Sequence, residues 1–386
     1  MVREQTADAA LREAQHGTAA ETAATAGNER DRRRGRRVDR VGHVPLREID
    51  ASAQRRSAQT GCLRLNWPFY CLFLLGRRAS AAMNTRTADP EMARLADAVR
   101  RYVARQDGKS PFFTAAEGLI VLCAQQERGQ THLIHKPAIC IVVQGAKWTA
   151  FGSRRLEYRA GQALVVSLEM PGSSQVVSGD RDAPYLSVVI ELDPVAMREV
   201  VERLDAPPAA DDRAGDSAYV VPFDGPLVDC ALRAVRLLDT PDAIAVVYPL
   251  LMREICYWLL RTPNGARIAR LIVGGDRHHG IVRAMHRLRE QFARPIRIEE
   301  LAMLAKMSPS AFHHRFKELT SLTPLQYQKQ IRLLEARRLM ASGEANAQTA
   351  ALTVGYESPS QFNREYARLF GAPPKRDIMR FGQIDD

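Results

Sequence analysis

The chain reads as an α+β protein: a small all-β barrel or sandwich domain, then an all-α domain with two helix-turn-helix motifs joined by a linker helix. Three observations predict this. Short apolar runs broken by turn residues fill the stretch from 118 to 190. A helix–turn–capped-helix pattern occurs twice near the C-terminus: Ser308-Pro309-Ser310, Phe312, Phe316 and Pro324 recur fifty residues later as Ser358-Pro359-Ser360, Phe362, Tyr366 and Pro374. Charge is uneven: the total of +11 divides into +6 for residues 1–82, −1 for the centre and +6 for residues 276–386. A near-neutral unit joined to a basic one fits a sensing or assembly domain attached to a polyanion-binding domain.

In chain order, residues 1–82 form an extension without lysine, of which residues 1–60 are rich in Ala, Arg, Gln and Thr, with an arginine run at Arg32–Arg37. The few large apolar residues of 1–60 cannot offset the entropy of ordering that stretch, so a disordered segment is expected. Ordinary composition begins at Met83, and the expectation is that translation starts at or near that residue, leaving 1–82 a misassigned or dispensable extension. Leu63–Leu75 is apolar but carries Arg64, Asn66 and Pro68 and falls short of the ~20 residues a spanning helix needs. No other segment suggests a span, so a soluble, cytoplasmic protein with no membrane partner is expected.

The second unit, 83–275, opens with a helical pattern over 89–107 that places Met92, Leu95, Val99, Tyr102 and Val103 on one face. Strands are expected at Gly118–Cys123, Ala138–Val143, Trp148–Phe151, Ala163–Leu168 and Leu186–Ile190, with helices at Met197–Leu204, Leu227–Leu238 and Ala243–Leu260. The interior of such a domain binds a small organic molecule through apolar walls and a few polar groups. Gln144, Lys147 and Glu169, beside turns at strand ends, are the candidate effector-binding residues. Tyr248–Leu260 is apolar nearly all round, which suits a core helix or a homodimer interface.

Catalysis is not expected. A metal-dependent barrel enzyme needs two or three histidines and a carboxylate on one face, yet only His132 and His135 occur between 109 and 195, and neither a nucleophile motif nor a phosphate-cradling loop stands out. No metal and no cofactor are therefore assigned. The six cysteines have no paired spacing and read as reduced thiols.

The third unit, 276–386, begins with a helix over Ile281–Phe292 and continues through the first helix-turn-helix, a linker helix at Pro324–Met340 that Ser342-Gly343 ends, and the second helix-turn-helix. Serine followed by proline suits a helix start: the hydroxyl accepts an orphan N–H, and proline loses only an unused donor. At 100° per residue, turning Phe312 and Phe316 inward sends Ser310, His313, His314 and Lys317 outward. The same operation on Phe362 and Tyr366 sends Ser360, Asn363 and Arg364 outward, while Arg315 and Glu365 fall nearer the core edge. Arginine suits a bidentate contact to guanine and asparagine a contact to adenine, and the other outward side chains reach bases or backbone. Two such helices on a rigid linker enter successive major grooves about ~34 Å apart.

Three stretches carry a resemblance: LAMLAKMSPSAFHHRFK (301–317), TPLQYQKQIRLLEARRLM (323–340) and, most specifically, VGYESPSQFNREYARLFGAPP (354–374). Residues 279–386 resemble the DNA-binding domain of AraC/XylS-type transcriptional regulators. KPAICIVVQGAKWTAFGSRRLEYRAGQALVVSLEMPG (136–172) resembles the cupin-like N-terminal domain of one branch of that family. The resemblance implies a cupin-like β-barrel preceding the reader domain, and a regulator, usually an activator, that binds double-stranded promoter DNA, responds to a small-molecule effector and works with RNA polymerase. By motif position, base contacts fall at Ser310, His313, His314, Ser360, Gln361 and Arg364. Ser321 departs from the family's usual glycine after the first recognition helix, and a barrel without a metal set departs from the enzymes of that fold. Two alternatives remain at this level: a cupin-type metalloenzyme with a DNA-binding tail, and a DNA-binding protein that responds to no ligand.

Overall fold

The structure is a computed structural model; the residues it describes are 90–384, without 126–128, 180–181, 207, 209–216 and 274–275. The 1–82 extension, its arginine run, Leu63–Leu75 and the expected start at Met83 lie outside the described residues. Helix α1 (Pro90–Ala104) precedes strands β1 (Phe112–Phe113), β2 (Leu119–Ala124), β3 (Thr131–His135), β4 (Ala138–Gln144), β5 (Ala146–Phe151), β6 (Arg154–Arg159), β7 (Gln162–Val166), β8 (Met170–Ser178) and β9 (Tyr185–Glu191). Helix α2 (Pro194–Glu202) and strand β10 (Ala218–Pro222) follow, then α3 (Pro226–Leu237), α4 (Pro241–Arg261) and α5 (Gly265–Val273). The remainder is helical: α6 (Asp276–Glu290), α7 (Ile298–Leu304), α8 (Pro309–Thr320), α9 (Pro324–Ala341), α10 (Ala347–Thr353), α11 (Pro359–Phe370) and α12 (Pro374–Ile384).

The strands form two antiparallel sheets, ordered β1-β2-β9-β4-β7-β10 and β3-β8-β5-β6. The α+β expectation holds, with an N-terminal sheet domain and a helical C-terminal one, but the sheets do not close into a barrel. Among the described residues no ladder joins them; they stack face to face as a sandwich. Val142, Leu164, Val166 and Tyr185 of the larger sheet meet Phe151, Tyr158, Met170 and Val176 of the smaller one in a shared core. The larger sheet's other face buries Ile139, Ile141, Val165 and Val188 beneath α1 to α4. Burial on both faces explains why β4 and β7 read as continuous apolar runs rather than as alternating strands.

Four strands of three or more residues were not apparent from the sequence. In β6 Arg154, Leu156 and Tyr158 share the inward face, between exposed Arg155, Glu157 and Arg159. β8 reads MPGSSQVVS, a composition that resembles a turn. β3 places His132 and His135 on a strand, three residues apart and therefore on opposite faces, which separates them as ligands to one ion. β10 follows a long connection and closes the edge beside β7.

Helix α4 corrects one sequence-level reading. By length and composition it is apolar enough to cross a membrane, contrary to the expectation that no segment besides Leu63–Leu75 suggests a span. It packs as a core helix, burying Ile244, Tyr248, Leu251, Met252, Ile255, Cys256, Leu259 and Leu260. Its outer face leaves Val246 at 69% and Leu250 at 62% exposure, with Val247 and Tyr257 beside them.

Candidate nucleic-acid interface

The two helix-turn-helix units are built alike from the cap inward. Ser308 caps α8 by accepting the N–H of Ala311, and Ser358 caps α11 by accepting that of Gln361; a proline occupies the next position in both. Phe312 and Phe316 stack at 5.6 Å and 51°, Phe362 and Tyr366 at 5.5 Å and 54°. All four rings are fully buried. Each helix ends on a left-handed residue, Ser321 at φ 59° and Gly371 at φ 75°. The serine noted as a departure thus adopts the conformation its glycine counterpart adopts, at a steric cost.

With the aromatics anchored, the opposite face is fixed. Ser310, His313, His314 and Lys317 on α8 are exposed, as are Ser360, Gln361, Asn363 and Arg364 on α11. Ser310, His313, His314 and Lys317 line one shallow depression with Pro309. Among the described residues only Gln361 of the eight makes a side-chain hydrogen bond, donating Nε2 to Glu365 at 3.2 Å. The remaining seven are uncommitted, a suitable state for side chains that exchange water for bases or phosphate. Arg315 and Glu365 lie at the core edge: Arg315 pairs with Glu318 at 2.9 Å, and Glu365 binds Lys329 at 2.8 Å and accepts from the Tyr356 hydroxyl at 2.8 Å. Hydrogen bonding to those partners keeps the Glu365 carboxyl below its ordinary range, against the opposing effect of burial.

Linker helix α9 holds the readers in fixed relation. A full capping box starts it: Thr323 accepts from Gln326 N–H while Gln326 accepts from Thr323 N–H. Arg332 donates to the carbonyls of Phe292 at 2.6 Å and Gly355 at 2.9 Å, and Gln328 donates to those of Phe292 and Arg294, tying the first unit to the second. Gly355 sits at φ +88° where a Cβ would come within 1.9 Å of the Ala293 carbonyl oxygen, so the junction requires glycine. On the far side, Arg337 grips Asp377 with two hydrogen bonds of 2.8 and 3.0 Å, and the Tyr366 hydroxyl donates to Asp377 at 2.8 Å. The sequence offered no local signal for this network, because its arginine and aspartate are 40 residues apart.

The sandwich rests directly on this framework. The Tyr327 hydroxyl donates to the Glu169 carbonyl at 2.8 Å, and the Glu169 carboxylate pairs with Arg289. At the tip of the β5–β6 hairpin, Gly152 lies against the Ser321 carbonyl, 2.3 Å from where a Cβ would stand. His132 packs edge-on to Phe370 at 5.2 Å. Beside Glu169, a cavity of about 450 Å³ opens between sheet and helices, walled by Lys136, Glu191, Met285, Arg289 and Tyr327 among others.

The three candidate effector residues are not brought together. Glu169 lines that cavity with its carboxylate already engaged by Arg289. Gln144 accepts from Arg100 at 2.9 Å and donates to the Pro184 carbonyl at 2.7 Å. Lys147 lines a different, smaller cavity inside the sandwich. Among the described residues no group of three His, Cys, Asp or Glu side chains is placed to hold a metal ion.

Comparison with known proteins agrees with this architecture. Residues 115–267 match the model of an AraC-type transcriptional regulator N-terminus, and residues 301–378 match a helix-turn-helix domain. Over 93 residues the chain is 32% identical to the HTH-type transcriptional activator RhaS of Klebsiella pneumoniae, a match covering 24% of this chain and 33% of that protein. The HTH-type transcriptional regulator GlxA of Rhizobium meliloti is 28% identical over 100 residues, covering 26% of this chain and 31% of its own. The chain thus spans about a third of the length of the curated relatives it matches. Among solved structures, apo ToxT K231A from Vibrio cholerae superposes with a TM-score of 0.48 at 10% identity, covering 69% of this chain and 99% of that one.

Proposed function

The chain belongs to the AraC-type transcriptional regulators, and from that we propose that it is a sequence-specific DNA-binding regulator, an activator, whose sheet domain responds to a small-molecule effector. The observation that carries the DNA-binding reading is the duplicated, aromatic-anchored helix with its uncommitted outward side chains. In this reading Arg364 reads guanine, Asn363 and Gln361 contribute further base contacts, and Ser310, His313, His314, Lys317 and Ser360 contact bases or phosphates. Residues 83–275 form the effector and assembly domain and 276–386 the reader domain. A single chain reads a bipartite site in promoter DNA, and RNA polymerase is its partner in the cytoplasm. No reaction is assigned to it.

The apolar outer face of α4 supports a homodimer: Val246, Leu250 and Tyr257 recur at helical spacing on a face the core does not use. Replacing Leu250 with glutamate converts a dimer to a monomer in light scattering, and a wild-type chain that stays monomeric at high concentration refutes the assignment.

DNA binding is tested by selecting the preferred site from random duplexes and measuring variants on it. Arg364→Ala costs roughly 1–3 kcal/mol and relaxes one base position, whereas Lys317→Ala weakens all sequences alike and lowers the salt slope by about one. Equal, sequence-independent losses for the two variants overturn the roles given to them.

A further inference from the structure

We propose that the interior of the sandwich binds a small monocarboxylate, with Lys147 as its counter-ion. This rests on the effector-response reading and gives it a ligand class. Strand alternation turns Lys147, Thr149 and Phe151 of β5 into the space between the sheets, where Lys147 stands opposite Tyr158 of β6 and Val176 of β8. Its side chain borders a cavity of about 160 Å³ lined by Leu122, Cys123, Ser174, Val176 and Tyr185.

The charge balance of this interior is one-sided. Among the described residues Lys147 makes no hydrogen bond and no ion pair, and the one titratable neighbour whose negative form would favour its charge is the Cys140 thiol. That thiol is pushed up to about 11 by burial and stays neutral. Burial likewise raises Tyr158 and Tyr185 and keeps both hydroxyls protonated. His135, inward-facing on β3, is held down to about 3 by burial and then by the charge of Lys147, and its buried Nε2 has no partner. Burial also lowers Lys147 itself. Lys147 is half-buried, and a cation beside this largely apolar wall without an anion is costly; a methionine would fill the same space more stably. An incoming carboxylate supplies the missing charge. The apolar wall favours an acid with a hydrocarbon body, and a volume equal to about five waters, at ~30 Å³ each, limits that body to a few carbons.

The same strand offers a route to DNA. From Lys147, β5 runs four residues to Phe151, and the next residue, Gly152, lies against Ser321 at the end of the first recognition helix. A ligand that fixes one end of β5 therefore acts on the reader at the other.

The test is calorimetric titration of the full chain with acetate, butyrate and hexanoate, and with butyramide as an uncharged match. A duplex carrying the selected site is titrated in parallel with and without each compound. A short carboxylate binds and butyramide does not; Lys147→Met remains folded, melts at higher temperature without ligand, and loses at least tenfold in carboxylate affinity. Val176→Phe, which keeps the lysine and fills the cavity, gives the same loss and serves should Lys147→Met fail to fold. Carboxylate binding undiminished in Lys147→Met or Val176→Phe, or no binding by any of the three acids, overturns the proposal. If an acid binds through Lys147 but DNA affinity does not change, the site stands and the effector reading fails. If only uncharged compounds change DNA affinity, the reverse holds.

Discussion

Tyr366 is the position at which the two readers differ most instructively. Its counterpart in the first unit is Phe316, equally buried and in an almost identical ring pair. Phenylalanine therefore fits the scaffold, and the tyrosine hydroxyl is an addition serving one purpose, its 2.8 Å bond to Asp377. Asp377 is itself only 6% exposed and held by Arg337, so the hydroxyl donates to a carboxylate shielded from water. Burial, followed by that bond, raises the Tyr366 pKa and keeps the donor protonated. Tyr366→Phe removes a hydrogen bond to a charged group and leaves no cavity of consequence, a loss of about 1.5–3 kcal/mol. Because helices α9, α11 and α12 meet at this network, the loss falls on the second reader alone. Amide hydrogen exchange on the full chain measures it: protection over α11 and α12 falls roughly ten- to hundredfold, at about 1.4 kcal/mol per decade, while α8 is unchanged. In an Asp377→Asn background the same substitution has a much smaller effect. Unchanged exchange in α11, or an equal loss in α8, refutes the account.

Three further outcomes follow from single contacts. The unfolded value of His135 is about 6.5 and its folded value about 3, so below pH 6.5 the unfolded chain binds the extra proton and stability falls with pH; at pH 5 the loss is about 2 kcal/mol. His135→Leu flattens that dependence in urea midpoints between pH 7 and 5, and an identical slope in the variant disproves the cause. Ser321→Gly relieves a left-handed serine and raises stability by about 0.5–1 kcal/mol, read as a higher melting temperature; a decrease would show that the serine side chain contributes a contact outweighing its strain. Gly152→Ala combines a φ of +58° with a Cβ 2.3 Å from the Ser321 carbonyl, so the hairpin must withdraw from the first reader. Stability falls by about 2 kcal/mol or more and protease access to the hairpin rises; an unaltered melt and digest would show that the contact is dispensable.

The reader domain was legible in the sequence because its information is local. Caps, i, i+4 aromatics and outward residues all lie within one helix, and a second copy supplied an internal check on phase. The sheet domain was legible where apolar residues run together, most plainly in β4 and β7, which are buried on both faces. β6 and β8 bury one face beneath charged or small residues, and their identity depends on partners distant in sequence. The effector candidates show the same limit. Proximity to a turn suggested rim positions for Gln144, Lys147 and Glu169, but only strand register determines that Lys147 points between the sheets, and only tertiary contact engages Gln144 with Arg100 and Glu169 with Arg289. Helix α12 carries no local sign of its role because the partners of its fixing residue Asp377, Arg337 and Tyr366, lie on α9 and α11.

The sandwich touches the two readers through different strands, and this constrains how a signal can pass. β5 ends at the hairpin that abuts Ser321 of the first unit, whereas β3 presents His132 to Phe370 of the second. Both strands pair with β8, one on each side of it, so the readers are referred to opposite flanks of a single ladder. A rearrangement in the space between the sheets that shifts β5 against β3 changes the offset between recognition helices before it changes either helix. Each reader retains its own buried aromatic pair, but the first reader's core is continuous with that of the sandwich and the second's is separate, so affinity for the second half-site alone stays constant while affinity for a correctly spaced pair responds. Measuring effector response on full sites, half-sites and sites with one added base pair separates the cases. An equal response on half-sites would locate the switch inside one reader and remove the ladder from the mechanism.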